Sequence, residues 1–437
     1  MRLQALPLVL CVVLALPCCA DSSGSDAPQD AEVTYYKDVL PIMGRYCNDC
    51  HVPGGIAPFA LNDYATAKAH TVQMRQAVAS GLMPPWLASD AGLPLRYSHK
   101  MQAEHRDALL RWIDAGAPAG DPSGPVRTDV PPGETVEPPR PDLRLDPGAA
   151  YLPNAQVSDD YRCLIVHDEL PKDIYVLAGA ISPDQKSMVH HVVLFEIPTA
   201  GVAKVKALLG QDSQPGYKCF GGAGADADAR VIMAWAPGSV PARFPKDTAL
   251  KVSKGSLLVM QVHYNLVNSR GAPDRSTALL EISDAPPPRL AQIWPIADPQ
   301  NLYIKAGDPR ARQTFRLDVW LLQAYYQFPA GDMLLYASAP HMHLLGHRQT
   351  VSVDGGPLLL EIPRWDFHWQ LPYAFQQPYA LRPQDTIVVE CEFDNSPANQ
   401  PLVDGKPQTP RDVRWGEGTA DEMCLNFLYV APAPPAP

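Results

Sequence analysis

Beyond residue 150 the apolar positions fall in short runs: MVHHVVLFEI, SLLVMQVHYNLV, RLDVWLLQAYY, DMLLYASAPHMHLLG, TIVVECEF and CLNFLYV. Each is rich in Val, Leu and Tyr and is fenced off by Pro, Gly and Asp. Such runs are strands, and a series of them predicts all-β sandwiches. Ahead of them the period is helical. TYYKDVLPIMGRYC predicts one helix, Asn62 or Asp63 caps a second running to about Ser80, and QAEHRDALLRWIDAG predicts an amphipathic third that ends at Gly116. Residues 117 to 150 carry Pro, Gly and Asp with no apolar period, the composition of an extended linker. The predicted fold is therefore mainly β. Two tandem β-sandwich, jelly-roll-like domains occupy 151–288 and 289–437, preceded by a small all-α domain over 32–120 and a Pro-rich linker over 121–150.

Composition agrees with this division. A chain of 437 residues is too long for one ordinary domain, and its 48 prolines favour turns and strands over long helices. A formal charge of -11 without a compensating basic run excludes a nucleic-acid partner. Residues 3 to 19, an apolar run behind Arg2, have the pattern of an export signal rather than a membrane span. Leu16-Pro17-Cys18-Cys19 also resembles a bacterial lipoprotein box with Cys19 as the lipidated residue, so two readings stay open: a periplasmic protein, or a cell-envelope lipoprotein anchored to the membrane. With Cys11, Cys18 and Cys19 in the leader and Cys47 and Cys50 in a motif of their own, Cys163, Cys219, Cys391 and Cys424 remain. Four cysteines in an oxidising compartment form two disulfides. Of the three pairings, the sequential one closes each loop within one domain and is preferred.

The motif is YCNDCHVPGG: Cys47, Cys50 and His51 have the C-x-x-C-H spacing that attaches a c-type haem. Each thiol can form a thioether to one porphyrin vinyl, and the next imidazole lies under the iron. A zinc site would need two further Cys or His nearby, and none follow. Three short helices around a haem make residues 32–120 a small cytochrome c. GGIAPFAL and SGLMPPW resemble bacterial c-type cytochrome domains fused to other enzymes, and that resemblance makes Met83 the second axial ligand, with His70, Met74 and Met101 as alternatives.

Five of the twelve histidines fall on predicted strands. His190 and His191 are adjacent, His263 is mid-strand, and His341 and His343 are two apart, on one face of a strand. One strand histidine is ordinarily a satisfied core or surface residue; a pair plus an H-x-H points to metal. VHHVVLF, QVHYN, HMHLLG and GTADEMC, in that order over roughly 151 to 432, resemble the copper type II, ascorbate-dependent monooxygenases, the family of peptidylglycine α-hydroxylating monooxygenase and dopamine β-monooxygenase.

The resemblance implies two copper ions, one held by His190, His191 and His263 and the other by His341, His343 and Met423. It implies hydroxylation of a small-molecule C–H bond with O2, the second copper handling O2 and the first supplying an electron. The contexts DDYRC and ECEFDNS also look familial and support the disulfide pairing. In the peptide-amidating member an arginine before the H-x-H, and an asparagine and a tyrosine after the methionine, hold a substrate carboxylate. Here those positions are Ala339, Leu425 and Phe427, so peptide amidation is not expected. Trp365, Phe367 and Trp369 either line a pocket or pack in a core. A haem in the same chain suggests that the cytochrome relays electrons from an ascorbate-like reductant or a redox protein. A non-catalytic copper and haem electron-transfer protein and a zinc hydrolase are the competing readings.

Overall fold

The computed structural model describes residues 32–219, 221–224, 229–266, 271–403, 406–416 and 421–435. The leader with Cys19 lies outside the described residues. Among the described residues no helix is long and apolar enough to cross a membrane.

Strands dominate from Asp159 onward. In Thr386–Phe393 every second residue is buried, so one face of the pleat packs inward and the other meets neighbouring loops or solvent. Leu257–Asn265 is buried at every position up to Tyr264, because it is flanked by Asp159–His167 and Val189–Ile197 and covered on both faces.

Two layered sandwiches result. The first packs a sheet of Tyr217–Lys218, Asp159–His167, Leu257–Asn265, Val189–Ile197 and Arg230–Trp235 against strands that include Ile174–Ser182, Thr248–Val252 and Thr277–Ser283. Leu164, Val176, Val192, Met260 and Leu280 fill the space between. The second lays Ala311–Asp318, Thr386–Phe393, Gly346–Val353 and Leu358–Ile362 over Arg289–Ala297, Leu425–Pro432, Met333–His341 and Tyr373–Leu381. Its core holds Trp294, Phe315, Leu335, Val351 and Leu428. The expected tandem sandwiches are present, but they share a sheet. Arg289–Ala297 pairs in parallel with Thr248–Val252 at Arg289 with Thr248, Leu290 with Ala249 and Ala291 with Leu250, and antiparallel with Leu425–Pro432.

The N-terminal helices follow the polarity pattern with one break. A π-turn, Tyr35–Val39, runs into Leu40–Tyr46. Asp63 caps the next helix, its carboxylate accepting from the Thr66 amide at 2.9 Å. The helix expected to reach Ser80 is interrupted at His70, whose backbone leaves the helical region, giving Tyr64–Ala69 and Thr71–Ala79. Ala103–Asp114 ends where predicted, at a Gly116 with φ of +82°, a conformation that favours glycine. The linker is extended but tied down. The Arg127 amide donates to the Lys37 carbonyl, Arg243 holds the Glu137 and Pro138 carbonyls, and Leu143–Leu145 joins the sheet beside Thr277–Ser283.

Cys163 pairs with Cys219 and Cys391 with Cys424, at sequence separations of 56 and 33. Closing loops of this length restricts the unfolded chain by about 4 kcal/mol each. The double variant Cys391→Ala/Cys424→Ala should therefore unfold about 10 °C lower in a calorimetric scan of the copper-free protein. An unchanged midpoint would show that the bridge constrains nothing.

Candidate metal centres

The first centre is assembled by sheet register. Leu257–Asn265 and Val189–Ile197 are antiparallel neighbours with His263 opposite His191, and an irregularity between Val189 and His191 brings His190 to the same place. The three rings offer nitrogen atoms within 4.8 Å of one another. The Nδ1 atoms converge, His190 to His191 at 3.4 Å and His263 to His191 at 3.3 Å.

The outer nitrogen of His263 is committed elsewhere. Its Nε2 donates to Asp159 Oδ1 at 2.9 Å, and its ring stacks on Tyr161 at 4.2 Å. That fixes the tautomer and leaves the His263 Nδ1 lone pair facing the other rings. Burial, then the neighbouring His263 and His368, push His190 down to about 3; burial, then His263, His190 and His341, push His191 well below its ordinary value. The imidazoles are thus held towards their neutral form, and three ring nitrogens crowd one point, an arrangement that a cation could take up.

The second centre lies at the end of Met333–His341. His341 and His343 have ring centroids 5.2 Å apart. Here the inner and outer nitrogens are exchanged. His341 Nδ1 donates to Gln370 Oε1 at 2.5 Å and His343 Nδ1 to the Asp421 carbonyl at 3.1 Å, so on each ring it is Nε2 that keeps the lone pair. Burial, then His343, push His341 down to about 4.

Met423 is brought here by two devices. Its neighbour Leu425 pairs with His341 across the strands. Fully buried Glu422 accepts from the His343 amide at 2.8 Å, the Leu345 amide at 2.6 Å and the Met423 amide at 3.2 Å. One carboxyl group thereby ties the H-x-H turn to the methionine. Burial pushes Glu422 up to about 8 even though the amide donors pull the other way.

A single loop touches both centres. Trp365 Nε1 donates to the His343 carbonyl, the Phe367 ring centroid lies 6.0 Å from that of His343, and the His368 centroid lies 6.0 Å from that of His190. Trp365 is buried in the core, whereas Phe367 and His368 line a cleft of about 550 Å³ together with Asp159, Tyr161 and Arg411. Ala339, Leu425 and Phe427 come together as one half-buried, uncharged patch, since Ala339 pairs with Phe427 and His341 with Leu425.

In the helical region Cys47 and Cys50 remain unbridged, and burial raises their thiols to about 12 and about 11. The His51 amide closes a turn on the Cys47 carbonyl, and His51 Nδ1 donates to the Phe59 carbonyl at 2.9 Å, which leaves Nε2 bare. Turn and tautomer suit an iron ligand. Met83 is half-buried, its amide bonded to the Ala77 carbonyl. Of the alternatives, His70 stacks on Phe59 at 4.0 Å, Met74 is buried in the helical core, and Met101 packs against the edge of that core.

Asp159, Gln370 and Glu422 escaped the sequence reading. Asp159 stands in DDYRC and Glu422 in GTADEMC, motifs noted for other reasons, and only strand register and burial give them their roles.

Known proteins match along the same lines. Residues 150–271 match the N-terminal domain and residues 309–435 the C-terminal domain of the copper type II ascorbate-dependent monooxygenases. Tyramine beta-hydroxylase of Caenorhabditis briggsae is 24% identical over 307 residues, 64% of this chain and 47% of that protein. DBH-like monooxygenase protein 2 of Mus musculus is 23% identical over 276 residues, 59% of this chain and 40% of that protein. The chain thus spans less than half the length of these relatives. A solved structure of PNGF-II overlays on 66% of this chain and 65% of its own with a TM-score of 0.26 at 10% identity, too slight a likeness to argue from.

Two outcomes follow from the outer hydrogen bonds. Asp159→Ala should weaken copper at the three-histidine centre by about 10- to 100-fold, read by competition with a chelator, because His263 loses its fixed tautomer. Glu422→Ala leaves three buried amides without an acceptor, a loss of about 1–3 kcal/mol or more. It should lower the unfolding midpoint and release copper from the His341/His343 centre while the three-histidine centre keeps its own.

Proposed function

The chain belongs to the copper type II ascorbate-dependent monooxygenase family, and from that premise we propose that it hydroxylates a C–H bond of a small organic substrate with O2, its electrons relayed by a c-type haem on the same chain. The observation that carries this reading is the pair of unlike donor sets beside one cleft. His190, His191 and His263 would hold one copper through Nδ1 atoms, and His341, His343 and Met423 a second through Nε2 atoms and a thioether. Copper supplies one-electron chemistry between Cu(I) and Cu(II), with the soft thioether favouring the reduced state that meets O2. The overall change is R–H + O2 + 2e⁻ + 2H⁺ to R–OH + H2O.

The chain's own groups set the conditions for that chemistry. Asp159, Gln370 and the Asp421 carbonyl hold three of the imidazoles by their outer nitrogens, so no ring need turn when a metal arrives. Glu422 fixes the spacing of His343 and Met423. The patch of Ala339, Leu425 and Phe427 offers no charge to a carboxylate, which favours a neutral or amine-bearing substrate over a peptide C-terminus.

A haem on Cys47 and Cys50, with His51 and Met83 as axial ligands, supplies a one-electron store. It would be refilled by an ascorbate-like reductant or a redox protein. Two disulfides support an exported, periplasmic or envelope-anchored protein.

Purified protein loaded with copper should contain two coppers and one covalent haem by metal analysis and haem absorbance. Oxygen uptake by the reduced protein against a panel of small amines and neutral aromatics should identify the substrate. Uptake with none of them would favour a non-catalytic electron carrier, and retention of zinc alone a hydrolase. Met423→Ala should abolish hydroxylation while copper at the three-histidine centre remains visible by electron paramagnetic resonance; full turnover would make Met423 a packing residue. A peptide ending in glycine should be a poor substrate, and its efficient hydroxylation would contradict the role given to Ala339, Leu425 and Phe427.

A further inference from the structure

The segment Leu82 to Lys100 leaves the helical region, crosses the second sandwich and returns. Its start is held by Arg364, whose guanidinium donates to the Ser80 and Gly81 carbonyls. Its middle lies along strand ends: the Ser89 amide donates to the Glu361 carbonyl, Leu93 to Leu359 and Arg96 to Ala374, while the Gln376 amide donates back to Pro94. Trp86, Leu87, Leu93 and Leu95 pack against the core of the second sandwich. The far end is tied to the haem-motif helix, with Arg45 donating to the Ser98 carbonyl at 2.6 Å. The helical region is therefore strapped to the second sandwich, a closer association than the linker composition suggested.

One contact in this strap joins the chain just after Met83 to the strand next to the one that ends in His341. Trp86 stands edge-on to Tyr373, ring centroids 5.1 Å apart, and Tyr373 is 1% exposed. Tyr373 pairs with Ser338 on the strand that ends in His341. Three residues before Tyr373, Gln370 accepts from His341 Nδ1. On the other side, Met83 is three residues from Trp86.

We propose that Trp86 and Tyr373 form the electron path between the haem motif and the His341/His343/Met423 centre. The route runs Met83 to Trp86 along the chain, across the ring contact to Tyr373, along the chain to Gln370 and through its hydrogen bond to His341. Covalent links, a ring contact and one hydrogen bond replace solvent over the whole route. This inference rests on the haem reading above. Each passage oxidises haem iron from ferrous to ferric and reduces one copper from Cu(II) to Cu(I). One passage supplies this copper with one of the two electrons of a hydroxylation and the three-histidine copper supplies the other, haem and that copper each being refilled by an external one-electron donor such as a redox protein or an ascorbate-like reductant. Trp86 is on this account a positioning residue that touches neither substrate nor metal.

The test uses the full chain with copper loaded, haem reduced and oxygen excluded, so that turnover plays no part. Haem reoxidation by Cu(II) is followed by absorbance in stopped flow. Trp86→Leu should slow it by about tenfold, and Trp86→Phe should restore most of the rate, with haem and copper spectra unchanged in both. Arg364→Ala, an exposed change that loosens the start of the strap, should slow it in the same direction and keeps the test open if Trp86→Leu does not fold. Rates equal to the parent in Trp86→Leu, or in Arg364→Ala where Trp86→Leu does not fold, with both metals intact, would overturn the path while leaving the haem reading in place. A purified chain without covalent haem would overturn both.

Discussion

Three residue pairs, Arg289 with Thr248, Leu290 with Ala249 and Ala291 with Leu250, hold the two sandwiches in one sheet. The placing of one candidate metal centre relative to the other depends on that junction, while each centre is built within its own sandwich. Arg289–Ala297 is hydrogen-bonded to a strand of the first sandwich at its beginning and to Leu425–Pro432 of the second along the rest, and Leu425–Pro432 in turn borders the strand that ends in His341. A hinge at this point would have to break ladder hydrogen bonds, whose buried groups are costly to leave unmade. The sheet thereby carries both histidine groups on one hydrogen-bonded frame.

Within that frame the centres are pre-set by second bonds. Three of the five tautomers are chosen by a group on the far side of the ring: Asp159 for His263, Gln370 for His341, a backbone carbonyl for His343. The choice differs between centres, Nδ1 inward in one and Nε2 inward in the other, so they present different reach and different crowding to an ion. Desolvation holds His190, His191 and His341 towards their neutral form, the form that can ligate a metal.

Much of this was legible in the chain. The alternation of Thr386–Phe393, the adjacent His190 and His191, the H-x-H and the cysteine order are local features, and local features survive in a sequence. Asp159, Gln370 and Glu422 were not legible, because each acts on a residue at least 29 and as many as 104 positions away and only register or burial makes the connection. SGLMPPW drew attention for its methionine, while its tryptophan docks on a different sandwich. The break at His70 was also hidden, since the apolar spacing continues through it.

The Cys391–Cys424 bridge ends one residue from Met423. On the proposed reading, two thiols would stand, before it closes, beside the thioether that takes up copper. Thiolates are soft donors that hold Cu(I) firmly, so an ion arriving early would be drawn to the wrong sulfur. The proposed copper reading therefore gives maturation an expected order: oxidation of the cysteines first, metal second. A cell that reversed the two would make a folded chain with its copper in the wrong pair of hands.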